Sequence, residues 1–206
     1  MDSKMLSASL NEVVSPRLSK IGLNFYSDYL WFSKSTDSIR KVFKYSLLKG
    51  NQGTFTWGVC FDFIPTISGN TLKFHKTEKS VTLHLFEWTD EYANSFSGGK
   101  WDGGVISHWD INKLGKSVDR LLDKYENKMV DFYAGASTIE KSIKITEKQI
   151  QDQKSYDLHS PNPKYLLPFL LARNQQIDKS ILALNELTYL NDELRTKIEK
   201  ILRKSS

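Results

Sequence analysis

The sequence predicts an α+β fold, with an antiparallel sheet of about five strands flanked by an N-terminal helix and a C-terminal helical layer. Three observations predict it. Apolar residues near the N-terminus recur at helical spacing, segments rich in aromatic and β-branched residues then alternate with short turns, and helical spacing returns from Leu114 onward. The chain has 206 residues, a length that fits one large domain or a domain with an appendage.

The first elements are a helix and two strands. Residues Ser7 to Ile21 place apolar side chains on one helical face, and Pro16 predicts a kink or a restart within it. The aromatic segment 25–32 predicts a first strand. After turn residues, the segment 39–48 predicts a second strand.

The segment 52–65 predicts the middle strand of the sheet. Its larger apolar residues alternate with smaller or polar ones, and the larger set is Phe55, Trp57, Val59, Phe61 and Phe63. This period of two is typical of a strand with one buried face. A turn is then predicted at Ser68-Gly69-Asn70, followed by short strands at 71–75 and 80–88 and an edge strand at 105–109.

The C-terminal half has helical spacing. The first predicted helix carries one apolar stripe, formed by Leu114, Val118, Leu121, Leu122, Tyr125 and Met129. A second helix is predicted over 138–153, and the proline-containing segment 156–163 breaks the pattern. The sequence thus predicts two parts, an α+β sheet domain at 1–154 and a C-terminal helical extension at 155–206 packed on it.

Two helical patterns follow the break. Apolar residues from Tyr165 onward begin a helix, and Ile177, Ile181 and Leu184 are expected to continue its apolar face. A last helix has a stripe with a strict spacing of four, formed by Leu190, Leu194, Ile198 and Leu202. This stripe makes self-association through the C-terminal helix an alternative.

Composition and charge narrow the class of protein. Cys60 is the single cysteine, which excludes an intrachain disulfide and favours the cytoplasm. No apolar run is long enough to cross a bilayer, so we expect no membrane partner. The net charge of +5 is mildly basic. Acidic residues are interspersed among the basic ones, which is typical of solvated helix faces, so we expect no nucleic-acid partner.

The segment 110–117 ends in Gly-Lys-Ser, as a phosphate-binding loop does. Such a loop begins with Gly because backbone amides must approach the phosphates closely, whereas this segment begins with Asp110. A capped helix start at Asp110 or Asn112 is the favoured interpretation.

Titratable residues give no clear catalytic pattern. His75 and His84 are expected to face each other across a hairpin, but two imidazoles do not define a metal site, and we expect neither a metal nor a cofactor. Asp62 is the carboxylate whose pKa burial would raise. If the chain is an enzyme with a pocket on the sheet, Asp62 and His84 are the first residues to inspect.

A Gly-rich segment concentrates aromatic residues outside regular structure. The residues proposed for partner binding are Trp88, Tyr92, Phe96, Lys100, Trp101 and Trp109. One interpretation is a lid over one end of the sheet, since aromatic residues are mostly core. The other is a binding surface for a partner, centred on Lys100 and Trp101 at the Gly-flanked tip.

Four segments resemble the bacterial domain of unknown function 4304. They are Leu18-Ser19-Lys20-Ile21-Gly22-Leu23, Ile39 to Phe43, Phe55 to Val59, and Val130-Asp131-Phe132-Tyr133 at the end of the first C-terminal helix. The resemblance covers about Leu10 to Ile150 and implies a structural similarity. It assigns no activity, and no residue inherits a role from it.

The sequence therefore favours a non-enzymatic cytoplasmic protein that binds another protein, as an adaptor or a toxin-immunity module does. Two alternatives of other classes remain open. One is a small-molecule-binding protein or enzyme with a pocket on the sheet. The other is a weak nucleic-acid binder acting through the basic C-terminal helices.

Overall fold

The computed structural model describes residues 2–48, 51–75, 77, 80–90, 105–107, 110–152 and 161–204. The strands in this part of the chain are β1 (Asn24–Ser27), β2 (Leu30–Phe32), β3 (Ile39–Leu48), β4 (Gln52–Phe61), β5 (Thr66–Ser68), β6 (Thr71–Lys73), β7 (Leu85–Trp88) and β8 (Ile106–Ser107). The helices are α1 (Ser3–Leu18), α2 (Ile111–Gly135), α3 (Ile139–Asp152), α4 (Pro163–Arg173), α5 (Ile177–Asn185) and α6 (Asp192–Arg203).

The main sheet confirms the predicted α+β class. Its strands follow the order β1-β2-β3-β4-β7, and β8 pairs with β4 off this path. The pairs β1–β2, β2–β3 and β4–β8 are antiparallel. One helix precedes the sheet and the remaining described helices follow it, as the sequence predicts.

The middle strand is confirmed, but its predicted half-burial is wrong. Phe55, Trp57 and Phe61 are buried as expected, and the residues between them are buried as well. Hydroxyl pairing permits this: Thr54 Oγ1 lies 3.1 Å from Thr89 Oγ1, so these polar groups satisfy each other. Phe63, predicted within the strand, lies beyond its end and is half-buried.

The predicted first strand is a hairpin. The chain turns at Asp28 and Tyr29, whose φ angles of 42° and 70° are left-handed. Residues on either side then pair as β1 and β2, with Phe25 opposite Trp31. Aromatic residues lie on both sides of this turn, and their pattern therefore predicts one continuous strand.

Two later strands also differ from expectation. The predicted strand at 80–88 begins only at Leu85. The segment predicted as a sheet strand at 71–75 is β6, which pairs with β5 in a separate two-stranded ribbon. The predicted turn at Ser68-Gly69-Asn70 is the connection between those two strands.

The helices follow the predicted stripes closely. α1 begins where the side chain of Asp2 accepts a hydrogen bond from the Met5 amide, and it includes Pro16 near its end. Every residue of the stripe predicted for α2 is buried: Leu114, Val118, Leu121, Leu122, Tyr125 and Met129. The predicted helix at 138–153 is α3.

The predicted continuation from Tyr165 to Leu184 is wrong. α4 ends at Arg173, and Gln175, with a left-handed φ of 59°, separates it from α5. The last helix is present as α6, with its whole stripe buried within the chain: Leu190, Leu194, Ile198 and Leu202. The chain itself covers this stripe, and self-association through the C-terminal helix stays a prediction.

The chain divides into two compact units. The first comprises residues 1–36, 40–59 and 86–134, and the second comprises residues 37–39, 60–85 and 135–206. The first contains α1, β1, β2, β8 and the Trp57–Tyr125 ring contact, with centroids 5.6 Å apart. The second contains the β5–β6 ribbon and α3 to α6. The predicted boundary at residue 154 stays a prediction.

None of the helices in the described ranges is both long enough and apolar enough to cross a membrane.

Candidate functional site

The second unit contains an open groove with a volume of about 400 Å³. The described residues that line it have uncharged side chains, and they are Thr66, Ile67, Thr82, Pro161, Asn162, Tyr165 and Tyr189. The lining mixes aromatic rings, hydroxyls and an amide with two aliphatic residues. Such a surface offers hydrogen bonds and contact area without a demand for a charged ligand.

The β5–β6 ribbon forms one wall of the groove. Its strands are joined by Gly69 and Asn70, and Gly69 has the positive φ of 58° that a type II′ turn requires at its first central residue. The turn is tied to α6: Asn70 donates to a carboxylate oxygen of Glu193 at 3.2 Å, and Lys197 Nζ donates to the Asn70 carbonyl oxygen at 3.1 Å. These bonds fix the ribbon that carries Thr66 and Ile67.

The start of α4 forms the second wall. Asn162 is the N-cap, with its side-chain oxygen accepting from the Lys164 amide at 2.9 Å, and Pro163 occupies the first helical position. This cap places Tyr165 in the first turn, where its phenol donates a 2.7 Å hydrogen bond to the Pro65 carbonyl oxygen. Burial, and to a smaller degree Tyr189, raises the pKa of Tyr165. The ring therefore stays neutral at physiological pH.

Tyr189 projects from the loop between α5 and α6, and its side chain is 61% exposed. The loop itself is held firmly. Arg195 donates one hydrogen bond to the Leu184 carbonyl oxygen at 3.0 Å and another to the Leu187 carbonyl oxygen at 2.9 Å. Leu187 and Leu190 are buried on either side of the exposed ring. Tyr189 is thus an exposed aromatic residue on a loop that is ordered before any ligand arrives.

A series of side-chain hydrogen bonds begins at Thr66 of the ribbon. Thr66 Oγ1 is 3.0 Å from Nε2 of buried His75, and His75 Nδ1 is 2.8 Å from Ser80 Oγ. The ring of His84 lies 6.0 Å from that of His75, so the two histidines are neighbours as predicted. The predicted hairpin between them is wrong, because β6 pairs with β5 and β7 lies next to β4. Nδ1 of His84 accepts from the Phe61 amide at 2.9 Å.

The two residues nominated for an enzymatic pocket do not line this groove. Asp62 follows the last residue of β4, where its amide donates to the Ser38 carbonyl oxygen at 2.9 Å. His84 is buried against Phe61. The Gly-Lys-Ser of the phosphate-loop pattern lies inside α2, which begins directly after Asp110, so this segment is the predicted helix start. The described residues contain no cluster of three metal-binding side chains.

Of the aromatic residues proposed for partner binding, the structure describes Trp88. It lies on β7, half-buried, with its ring in an edge contact with Phe86 at 5.1 Å between centroids. The other proposed residues lie outside the described ranges, namely Tyr92, Phe96, Lys100, Trp101 and Trp109. The binding role of this segment stays a prediction.

The groove residues were not predicted from the sequence. They come from four separated segments, around residues 66, 82, 162 and 189, and no spacing in the sequence connects these segments. A local signal was present at Pro161-Asn162-Pro163, which predicted only a break between helices. The exposed aromatic residue at Tyr189, between two helical patterns, was the second available signal.

No protein-family model matches the chain, and neither a curated protein nor a solved structure is significantly similar to it. The resemblance to the domain of unknown function 4304 stays a prediction, and the function must be argued from the groove itself.

Proposed function

We propose that this chain is a non-enzymatic cytoplasmic protein that acts by binding another protein, as an adaptor or an immunity module, and that the groove of the second unit is its contact surface. The observation that carries the proposal is Tyr189, an exposed residue that lines the groove from a loop to which Arg195 donates hydrogen bonds. Tyrosine supplies a large contact area and one polar group at a small entropy cost, which is why it is enriched at protein interfaces.

The chemistry of the lining supports a protein partner over the nucleic-acid alternative. Nucleic-acid sites neutralise phosphates with Lys and Arg, and none of the described residues that line the groove is Lys or Arg. These described side chains also supply no charge to compensate an ion or a charged metabolite. Hydroxyl, amide and aromatic groups suit the backbone and uncharged side chains of a polypeptide.

The chain provides a matched pair of variants for the test. Tyr189 and Leu182 are both exposed apolar residues of the second unit, at 61% and 65%, and only Tyr189 lines the groove. The tagged wild-type chain, Tyr189→Ala and Leu182→Ala are each used to purify partners from cells that naturally produce the protein. We expect one partner to be recovered with wild type and Leu182→Ala, and to be lost with Tyr189→Ala, at equal melting temperatures.

Two results would contradict this assignment. Equal recovery with both variants would contradict the assignment of the groove as the contact surface. Trp101→Ala would then test the aromatic segment as that surface. If no partner is recovered and an enzymatic turnover is detected, the proposal of protein binding is contradicted.

A second candidate function rests on the chain of hydrogen bonds through Thr66, His75 and Ser80. A hydroxyl beside a histidine that a third residue orients is the arrangement of an activated nucleophile. Here the third residue is a neutral serine rather than a carboxylate, which gives an imidazolium no charge stabilisation. The same bonds anchor β5 to the segment that follows β6, and this structural role is the interpretation we favour.

The enzymatic candidate is tested with chromogenic esters and amides. Thr66→Val removes the hydroxyl and retains the shape of the side chain, and Thr82→Val is the control on the same groove. A turnover that Thr66→Val abolishes and Thr82→Val retains would establish the second candidate. The absence of turnover with wild type would contradict the second candidate.

A further inference from the structure

We propose that His75 and His84 form an acid-sensitive latch, which ties the end of β4 to the start of β7 and is broken when His84 takes up a proton. This inference goes beyond the proposed function and does not depend on the identity of the partner. The latch consists of the two imidazole rings and the groups that they bond, namely the Phe61 amide, Ser80 Oγ and Thr66 Oγ1. All of these residues belong to the second unit.

The hydrogen bond of His84 fixes the protonation state of its ring. The Phe61 amide donates to Nδ1 of His84 at 2.9 Å, and His84 is 1% exposed. Because a backbone N–H can only donate, Nδ1 must be the unprotonated nitrogen of a neutral imidazole. A further proton would bind at Nδ1, break this bond and leave the Phe61 amide without its acceptor, which is costly in a buried position. The imidazolium form of His84 is therefore incompatible with the closed latch.

The bonds of His75 tolerate a proton. Its Nδ1 lies 2.8 Å from Ser80 Oγ, and its Nε2 lies 3.0 Å from Thr66 Oγ1. A hydroxyl oxygen accepts as readily as it donates, so both bonds can persist when both nitrogens of His75 carry protons. The rings of His75 and His84 are 6.0 Å apart, so a charge on one disfavours a charge on the other. The closed latch can thus hold one proton at most, and that proton is on His75.

Charged side chains near the latch act on the charge of the rings and not on the bond at Nδ1. Such side chains follow Phe61, flank His75 and lie over the ring of Phe63. They are Asp62, Lys73 and Arg173 among the described residues, and Lys76, Glu78 and Lys79 outside the described ranges. The cations oppose an imidazolium and the carboxylates favour it. None of them can restore the bond that the Phe61 amide loses when Nδ1 is protonated.

The latch should make the chain less stable on the acid side of neutrality. An ordinary histidine takes up a proton near about pH 6.5, so the unfolded chain binds a proton at His84 below that pH, whereas the folded chain with a closed latch does not. The stability that the latch contributes is therefore complete above about pH 6.5 and is lost as the pH falls. The equilibrium constant for unfolding should rise by up to about tenfold per pH unit.

Nitrogen NMR of the imidazole rings in the full-length wild-type chain tests the protonation state directly. The titration runs from about pH 7.5 to about pH 5.5, one unit on either side of the ordinary value. We expect His84 of the folded chain to keep its proton on Nε2 alone throughout this range. An imidazolium at His84 in the folded chain, with an unchanged signal from the Phe61 amide, would overturn the proposal.

The two histidines provide matched variants for denaturant titrations over the same range. His84→Asn places an amide oxygen near the position of Nδ1, so it retains an acceptor for the Phe61 amide but does not titrate. We expect the unfolding constant of His84→Asn to rise less steeply toward acid than that of wild type, by up to about tenfold per pH unit. His75→Asn should keep most of the wild-type slope.

Two results of these titrations would overturn the proposal. One is a wild-type stability that stays constant or rises as the pH falls, which would show that the fold accepts the imidazolium of His84. The other is an equal slope in wild type and His84→Asn. If His84→Asn fails to fold, the NMR titration decides, because it uses the wild-type chain.

Discussion

The phenol of Tyr165 donates a 2.7 Å hydrogen bond to the carbonyl oxygen of Pro65, the residue that immediately precedes β5. This bond joins the first turn of α4 to the ribbon and so connects the two walls of the groove. Tyr165 is 3% exposed and Tyr189 is 61% exposed. One tyrosine therefore joins the two walls of the groove, and the other exposes most of its side chain.

Tyr165→Phe tests whether the phenol of Tyr165 stabilises the fold by joining the two walls of the groove. The variant retains the ring but leaves the Pro65 carbonyl oxygen without its donor, so we expect the free energy of unfolding to fall by about 1–3 kcal/mol. Denaturant titration measures the change. Tyr189→Phe is the matched control and should leave stability within about 0.5 kcal/mol of wild type. Equal stability of all three chains would show that the bond does not join the walls.

Arg195→Ala tests whether the loop is ordered in advance of binding. Loss of the two bonds to the Leu184 and Leu187 carbonyl oxygens should reduce partner recovery, although Arg195 does not line the groove. Arg203→Ala is the control, because Arg203 forms an exposed ion pair with Glu199 of its own helix and does not line the groove. Such exposed pairs contribute at most about 1 kcal/mol. Partner recovery unaffected by Arg195→Ala would contradict the account of Tyr189.

Two glycines of the first unit should respond to alanine with opposite signs. A Cβ atom at Gly53 would overlap the ring of Tyr45, and overpacking of this kind lowers stability by about 1–3 kcal/mol. A Cβ at Gly115, within α2, would meet only Val13 Cγ2 at 3.8 Å. Alanine is favoured over glycine in a helix by about 1 kcal/mol, so Gly115→Ala should stabilise the chain. Thermal unfolding of both variants checks the prediction, and a shift of the same sign would contradict it.

Stability should fall at alkaline pH because of buried phenols. Burial raises the pKa values of Tyr45, Tyr133 and Tyr165 above the ordinary value. The folded chain retains these protons while the unfolded chain releases them above about pH 10, so the contribution is complete below that pH and is lost as pH rises. Each such tyrosine should lower the free energy of unfolding by about 1.4 kcal/mol per pH unit.

Denaturant titrations from about pH 8 to about pH 11 measure this slope. Tyr133→Phe should make the slope shallower while lowering stability at neutral pH, because Tyr133 also donates to the Val42 carbonyl oxygen at 2.9 Å. A stability that does not change over this range would show that the phenols titrate normally.

The sequence patterns predicted which segments form helices and strands better than they predicted which side chains those elements bury. The stripe of α2 was predicted residue by residue, because helical spacing directly encodes which face is buried. For β4, the alternation predicted the strand but did not predict that its second face is also buried. Thr54 is buried there through its contact with Thr89, and a threonine at an alternate position gives no sign of such a partner.

The groove could not be predicted, because its residues become neighbours only through tertiary structure. Thr66 and Tyr189 are far apart in the sequence, and each has an ordinary local explanation as a strand residue or a loop residue. The turn at Gly69 was predicted from its chemistry. That this turn joins a ribbon separate from the main sheet follows only from the pairing of β5 with β6.

The most direct test of a partner in the groove is a photo-cross-linker placed at two large, exposed hydrophobic residues of the second unit. Tyr189→benzoylphenylalanine and Leu182→benzoylphenylalanine are irradiated in the cells that naturally produce the chain, and adducts are identified by mass spectrometry. We expect one protein adduct at position 189 and none at position 182. An adduct at 182 alone, or equal adducts at both positions, would contradict the assignment of this groove as the binding site.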